Sequence, residues 1–139
     1  MIRIILVAIF LLLYSIISLI LYPAVWLIGK FNKKAKDKSS LFIVKNSFKV
    51  VRFLSGTRTT VIGYDRIPKD EPVLFVGNHK SYFDIVISYS LMPGLTGFVA
   101  KKELKKVPVI SWWMRNLYCL FLDRNDTREG LKTILEGID

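Results

Sequence analysis

From Ile4 to Ile28 the chain carries no charged residue, and nothing else in it restricts the possible folds as much. Crossing a bilayer core takes about 20 apolar residues in helical form. Residues 1–29 are therefore expected to form a membrane anchor. Arg3 precedes the stretch, whereas Lys30, Lys33, Lys34, Lys36 and Lys38 follow it. That bias predicts a cytoplasmic location for everything downstream. A cleaved signal peptide is disfavoured, because the apolar run is too long and no small-residue cleavage site follows it. Tyr22 and Pro23, near its end, keep a kinked or interfacial helix open as an alternative to a spanning one.

The formal net charge of +10 is confined to one region. Residues 30–69 hold eleven basic and two acidic side chains, while residues 70–139 hold nine of each. Within the basic region Leu41, Val44, Phe48 and Val51 recur at helical spacing, with Lys45, Lys49 and Arg52 off that stripe. Residues 30–58 thus read as a basic amphipathic juxtamembrane helix, suited to anionic headgroups on membrane lipids. A solvated charge run has the same composition. Nucleic acid is a poorer partner, since the basic stretch adjoins an apolar anchor and no recognition motif accompanies it. One cysteine, Cys119, and one histidine, His79, exclude an intrachain disulfide and make a zinc cluster improbable. Cys119 lies in the apolar run Leu117 to Leu122 and reads as a small buried hydrophobe.

The sole histidine follows Pro72-Val73-Leu74-Phe75-Val76, an apolar run that predicts a buried strand of a parallel sheet. Just past the carboxyl end of such a strand is where open α/β sheets bind ligands. Asp84 comes five residues later. On one helix that spacing turns the two side chains about 140° apart, so they meet only if the chain bends between them. Ser81-Tyr82-Phe83-Asp84 supplies the bend as a capping box, with Ser81 as N-cap and Asp84 in the first turn. His79 then sits in the loop before the helix, within reach of the carboxylate. An imidazole so held has a fixed tautomer, as a general base for a hydroxyl requires. The same spacing also fits a plain capping carboxylate beside an unremarkable loop histidine.

Asn78-His79, four intervening residues and Asp84 together resemble the first motif of the glycerophospholipid acyltransferase family, in particular its bacterial lysophosphatidate acyltransferases. Phe98-Val99-Ala100-Lys101-Lys102-Glu103-Leu104, followed by Pro108 and Trp112-Trp113, is similar to the family's connecting segment. Phe121-Leu122-Asp123-Arg124 is similar to its second motif, and the resemblance covers roughly residues 60–136. It implies transfer of a fatty acyl group from acyl-CoA or acyl-carrier protein to the free hydroxyl of a lysophosphatidate, without a cofactor or metal. His79 would be the base and Asp84 its orienting partner. Asn78, Ser81, Lys101 and Arg124 would contact substrate, the two cations gripping its phosphate. Backbone N–H groups at the Ser81 helix start are candidates for the oxyanion. The implied location is a bacterial cell membrane, with the catalytic part on the cytoplasmic side.

Two departures from the family pattern stand out. Tyr118 occupies a position where the family usually has glycine, so a close backbone approach there is expected to be altered. The third motif, a Phe-Pro-Glu-Gly-Thr-Arg-like loop after a helix such as Thr127 to Gly137, and the fourth are expected beyond Asp139. A non-catalytic, membrane-surface lipid-binding fragment of such an enzyme is therefore the competing expectation.

Further elements follow from local signals. Thr59 to Tyr64 predicts a first strand and Ile67-Pro68-Lys69-Asp70 a turn. The helix opened by Ser81 should stop at Pro93-Gly94. Leu95 to Ala100 and Leu117 to Leu122 predict strands, Pro108 opens a short helix, and Asp126 or Thr127 caps a last one. The expected fold class is α/β: membrane-associated helices, then the first half of an αβ acyltransferase sandwich over residues 59–139.

Overall fold

A computed structural model describes residues 1–68, 71–123 and 126–136 of the chain. Helix α1 spans Ile2–Phe31 and helix α2 spans Lys33–Ser55. Asn32 both separates and joins them. Its backbone is extended, at φ −149° and ψ 99°, and its side-chain oxygen accepts from the Ala35 N–H at 3.0 Å. Asparagine serves here because its short amide satisfies one of the amides a helix start leaves bare. At the far end α2 stops at Gly56, φ 71°, a left-handed cap that glycine adopts without a Cβ clash. The two helices run antiparallel along their full length. A Cβ on Gly29 would lie 2.8 Å from the Lys36 side chain, and one on Gly56 would lie 2.1 Å from the Arg3 guanidinium.

Sequence explains which faces meet. On α1 the inward positions Val7, Phe10, Tyr14, Ser18, Leu21, Tyr22 and Val25 repeat every three or four residues. Ser18 and Val25 are buried among them, Ser18 completely. On α2 the stripe expected from the sequence faces α1 and the core: Val44 and Val51 are buried, Leu41 and Phe48 partly so. The rest of α1 is bare. Ile2, Ile4, Ile5, Ile9, Leu12, Ile16, Leu19, Ile20 and Leu27 are all exposed, which makes an apolar surface larger than soluble proteins usually leave open. By length and composition α1 is sufficient to cross a membrane.

Two short helices pack onto this hairpin, and the fold also holds a small sheet and a last helix. Helix α3 spans Tyr82–Leu91 and α4 spans Ile110–Asn116. They contribute Tyr89 and Trp113 to a core shared with Val25, Val44 and Leu117. Strands β1, Val99–Lys101, and β2, Leu120–Leu122, form a parallel pair in the register Val99 to Leu120, Ala100 to Phe121 and Lys101 to Leu122. Helix α5, Thr127–Glu136, follows β2, and Asp126 opens it by accepting from the Arg128 and Glu129 N–H groups. Cys119 is partly buried against the core; its thiol, pushed up by that burial, accepts from the Phe98 N–H at 3.4 Å.

The α/β expectation is met in coarse form only. The described residues are mostly helical, with one parallel sheet of two strands. The strands expected at Thr59 to Tyr64 and Pro72 to Val76 do not form. Both segments run outside any sheet, with Ile62 91% and Leu74 87% exposed, and Tyr64–Arg66 makes a 3₁₀ turn. A strand persists only where a neighbouring ladder pairs its backbone groups. Among the described residues β1 and β2 pair with each other alone, so these segments leave their amides to solvent. Lys69, Asp70, Arg124 and Gly137 lie outside the described residues.

Tyr118 shows why glycine suits its position. Its φ is 57°, in the left-handed region, where a side chain costs about 1–2 kcal/mol. The close approach survives nonetheless, because the partner is Gly97: a Cβ there would lie 2.4 Å from the Tyr118 carbonyl oxygen. The tyrosine is tied down at its far end. Its hydroxyl donates to Asp37 at 3.0 Å, and Lys36 and Lys33 stand over its ring at 5.0 and 5.6 Å.

The contact between α4 and the middle of α1 offers a test of the packing. The Trp113 indole N–H donates to the fully buried Ser18 hydroxyl at 3.0 Å, flanked by Tyr22 and Tyr14. Ser18→Ala strands that N–H and is expected to cost about 1–3 kcal/mol. Adding Trp113→Phe removes the orphaned donor, so the second change should cost less in the Ser18→Ala background than alone. Chemical unfolding of the four proteins in micelles measures this; strictly additive losses would show that the hydrogen bond carries no weight.

Candidate active site

The first turn of α3 is organised by one carboxylate. Ser81, extended at φ −148° and ψ 160°, accepts on its hydroxyl from the Phe83 N–H at 3.2 Å. Asp84 reaches back the other way. Its Oδ2 accepts from the Lys80 N–H at 2.7 Å and the Ser81 N–H at 2.8 Å, completing the capping box that the sequence indicated. The same oxygen lies 3.3 Å from His79 Nδ1. The required bend therefore exists, and it brings His79, Ser81 and Asp84 together.

Electrostatics at this turn follow from the donors. The Ser81 and Lys80 amides, and then His79, hold the Asp84 carboxyl below its ordinary range, since each donor favours the ionised form. An anion at a helix N-terminus also meets the positive end of the helix dipole. With Nδ1 turned to Asp84, the other ring nitrogen, Nε2, is left to accept a proton. Both side chains are open to an incoming molecule, at 51% exposure for His79 and 37% for Asp84. Beside the turn, Arg3, Ile4, Val7, Ser55 and Phe83 line a mainly apolar hollow of ≈ 170 Å³.

Other expected site residues are placed less directly. Asn78 is exposed in the loop beside His79. Lys101 ends β1 at the carboxyl edge of the sheet, exposed and opposite Leu122. No hydrogen bond or ion pair joins it to His79 or Asp84 among the described residues. Arg124 lies outside them. Of the amides at the start of α3, those of Lys80 and Ser81 donate to Asp84, that of Phe83 to the Ser81 hydroxyl, and that of Asp84 to the Ser81 carbonyl.

One residue at the sheet edge escaped the sequence reading. Lys102 donates to Asp123 at 2.9 Å and Glu129 at 3.3 Å, tying the end of β1 to the end of β2 and to α5. Those two carboxylates raise its pKa. Its adjacency to Lys101 within a run of cations gave no signal, because the partners come from 21 and 27 residues away.

Comparisons with known proteins place the sequence. The sequence model of the family described as Acyltransferase matches residues 58–137, a span that contains the capping box, the sheet and α5. The yeast Saccharomyces cerevisiae 1-acyl-sn-glycerol-3-phosphate acyltransferase is 30% identical over 92 residues, covering 66% of this chain and 30% of the yeast protein. Human 1-acyl-sn-glycerol-3-phosphate acyltransferase alpha is 25% identical over 119 residues, covering 84% of this chain and 41% of the human one. The chain thus spans well under half the length of these curated relatives. No solved structure matches it significantly. With more than half of its residues inside the family match, and His79 and Asp84 meeting there, the chain belongs to the glycerophospholipid acyltransferase family.

Proposed function

We propose that this chain is part of an enzyme that transfers a fatty acyl group from the thioester of acyl-CoA or acyl-carrier protein to the free hydroxyl of a lysophosphatidate. The observation that carries this reading is the His79 Nδ1 to Asp84 Oδ2 contact of 3.3 Å at the start of α3, inside the family match. In the proposed step Nε2 of His79 takes the hydroxyl proton as the oxygen attacks the thioester carbonyl carbon. The tetrahedral intermediate then expels the thiolate, breaking the C–S bond, and the imidazolium returns a proton to the sulfur. Asp84 orients the ring and compensates its transient charge. The acyl donor is a substrate, and the chemistry needs no cofactor. Lys101 and Arg124 are proposed for the substrate phosphate, with Asn78 and Ser81 lining the approach.

The membrane supplies the acceptor in this reading. Since α2 lies along the whole of α1 and carries Lys34, Lys36, Lys38, Lys45, Lys49 and Arg52, a bilayer-spanning α1 would carry those cations into hydrocarbon, at a cost of several kcal/mol. The hairpin is better accommodated at the interface, with the bare face of α1 in the acyl chains and the exposed cations Lys34, Lys38 and Lys49 toward anionic headgroups. Of the spanning and interfacial placements that the sequence left open, this reading takes the interfacial one.

Two measurements test the mechanism. His79→Ala should abolish acyl transfer to lysophosphatidate, a loss of about 10²–10⁴-fold if base catalysis is its role, while binding to lipid vesicles persists because the hairpin is untouched. Transfer retained by that variant would overturn the role. The second measurement is the pH profile. Because Asp84 is held below its ordinary value of about 3.9, its ionised form favours the folded first turn. That contribution is complete above pH about 3.9 and fades only as pH falls from there toward the lowered value. Acyl transfer should accordingly show no carboxylate ionisation above pH about 4, and an acid limb needing two protons in that range would contradict the assignment.

A further inference from the structure

We infer that Lys45 and Arg52 of α2 are positioning residues for the His79 and Asp84 pair, gripping the last turn of α3 so that its first turn stays formed. The Lys45 ammonium donates to the Met92 carbonyl at the C-cap of α3. Arg52 donates to the Ser90 hydroxyl at 3.1 Å, and Ser90 is buried. Between them Phe48 meets the buried Tyr89 ring edge-on at 5.8 Å. Positions 45, 48 and 52 lie on one face of α2, so a single helical surface holds the residues that end α3. Cations there also oppose the negative end of its dipole.

The grip matters because α3 is short. A ten-residue helix is not stable alone in water, and the segment before it, residues 71–80, is exposed and outside any helix or strand. The capping box that carries Asp84 to His79 thus depends on α3 being held elsewhere. Its C-terminal half supplies that hold through Tyr89, Ser90 and Met92. Expectation from the sequence put Lys45 and Arg52 among headgroup-binding cations; both are instead partly buried and directed at α3, while Lys49 remains exposed. Loss of surrounding water, and then the nearby Lys49 charge, lower the Lys45 pKa, consistent with an ammonium that has left solvent for the Met92 carbonyl.

The relevance of this geometry to catalysis rests on the reading of His79 as the base, but the geometry can be tested without activity. His79 is the only histidine, so imidazole ¹H–¹⁵N correlation spectra of the full chain in micelles report on it alone. Asp84→Asn defines the signature of a broken pair. The Lys45→Met/Arg52→Gln protein should move the His79 resonances at least halfway toward that signature, and Lys45→Arg/Arg52→Lys should return them. Wild-type resonances in the first double variant would overturn the inference, and so would loss of binding to anionic phosphatidylglycerol vesicles with those resonances unmoved. Should that variant not fold, Ser90→Ala leaves α2 untouched: it and Arg52→Gln should shift His79 alike and non-additively, whereas a silent Ser90→Ala overturns the pairing. In an actively transferring preparation the double variant should lose about tenfold or more in kcat with KM little changed. Displaced resonances with undiminished kcat would leave the positioning intact and instead remove His79 as the base.

Discussion

The core that holds α3 and α4 is assembled on the pairing of α1 with α2. The apolar stripe of α2 must be covered, and in an antiparallel hairpin joined by Asn32 the inward face of α1 covers it. Small residues at the contact, Ser18 and Gly29, let the helices and the Trp113 ring come close. The shared core is then built from both helices plus Tyr89 of α3, Trp113 of α4 and Leu117 just after it, so neither short helix has a core of its own. This arrangement leaves most of α1 bare, an apolar surface larger than soluble proteins usually leave open.

A second dependence runs through one oxygen atom. Asp84 Oδ2 takes the Lys80 and Ser81 amides and faces the His79 ring, so helix capping and histidine orientation are the same interaction. The two readings of the sequence, a structural capping carboxylate or an orienting partner, are compatible with the same geometry. The Lys80, Ser81 and Phe83 amides, which a helix start would otherwise leave bare, are satisfied within this one turn. A family relationship over residues 58–137 places this turn in a catalytic context without assigning any role to an individual atom.

Between these two features lies the α2 to α3 contact. The hairpin that bears the bare apolar face also holds the helix that carries Asp84, through Phe48 against Tyr89 and through the donors on Lys45 and Arg52. Tyr118 makes a comparable link from the sheet to α2, its left-handed backbone offset by contacts with Asp37, Lys36 and Lys33. Four cations of the basic segment, Lys33, Lys36, Lys45 and Arg52, thus serve internal contacts, which uniform charge along the sequence conceals.

What the sequence determined by itself was local and periodic. The apolar run from Ile4 to Ile28, the stripe on α2, the capping box at Ser81 and the resemblance around His79 and Asp84 all depend on residues within a few positions of one another, and each is found where the spacing put it. Tertiary structure decided what needs a partner from far along the chain. The apolar segments at Thr59 to Tyr64 and Pro72 to Val76 have strand composition, yet no neighbouring ladder among the described residues pairs them, and pairing rather than propensity makes a strand. Likewise, Lys45, Arg52 and Lys102 look like surface cations in sequence, and only folding brings Met92, Ser90, Asp123 and Glu129 to them. Side-chain type fixes what an ammonium or guanidinium can bind, while the partner it finds is set by which helices and strands the core brings together.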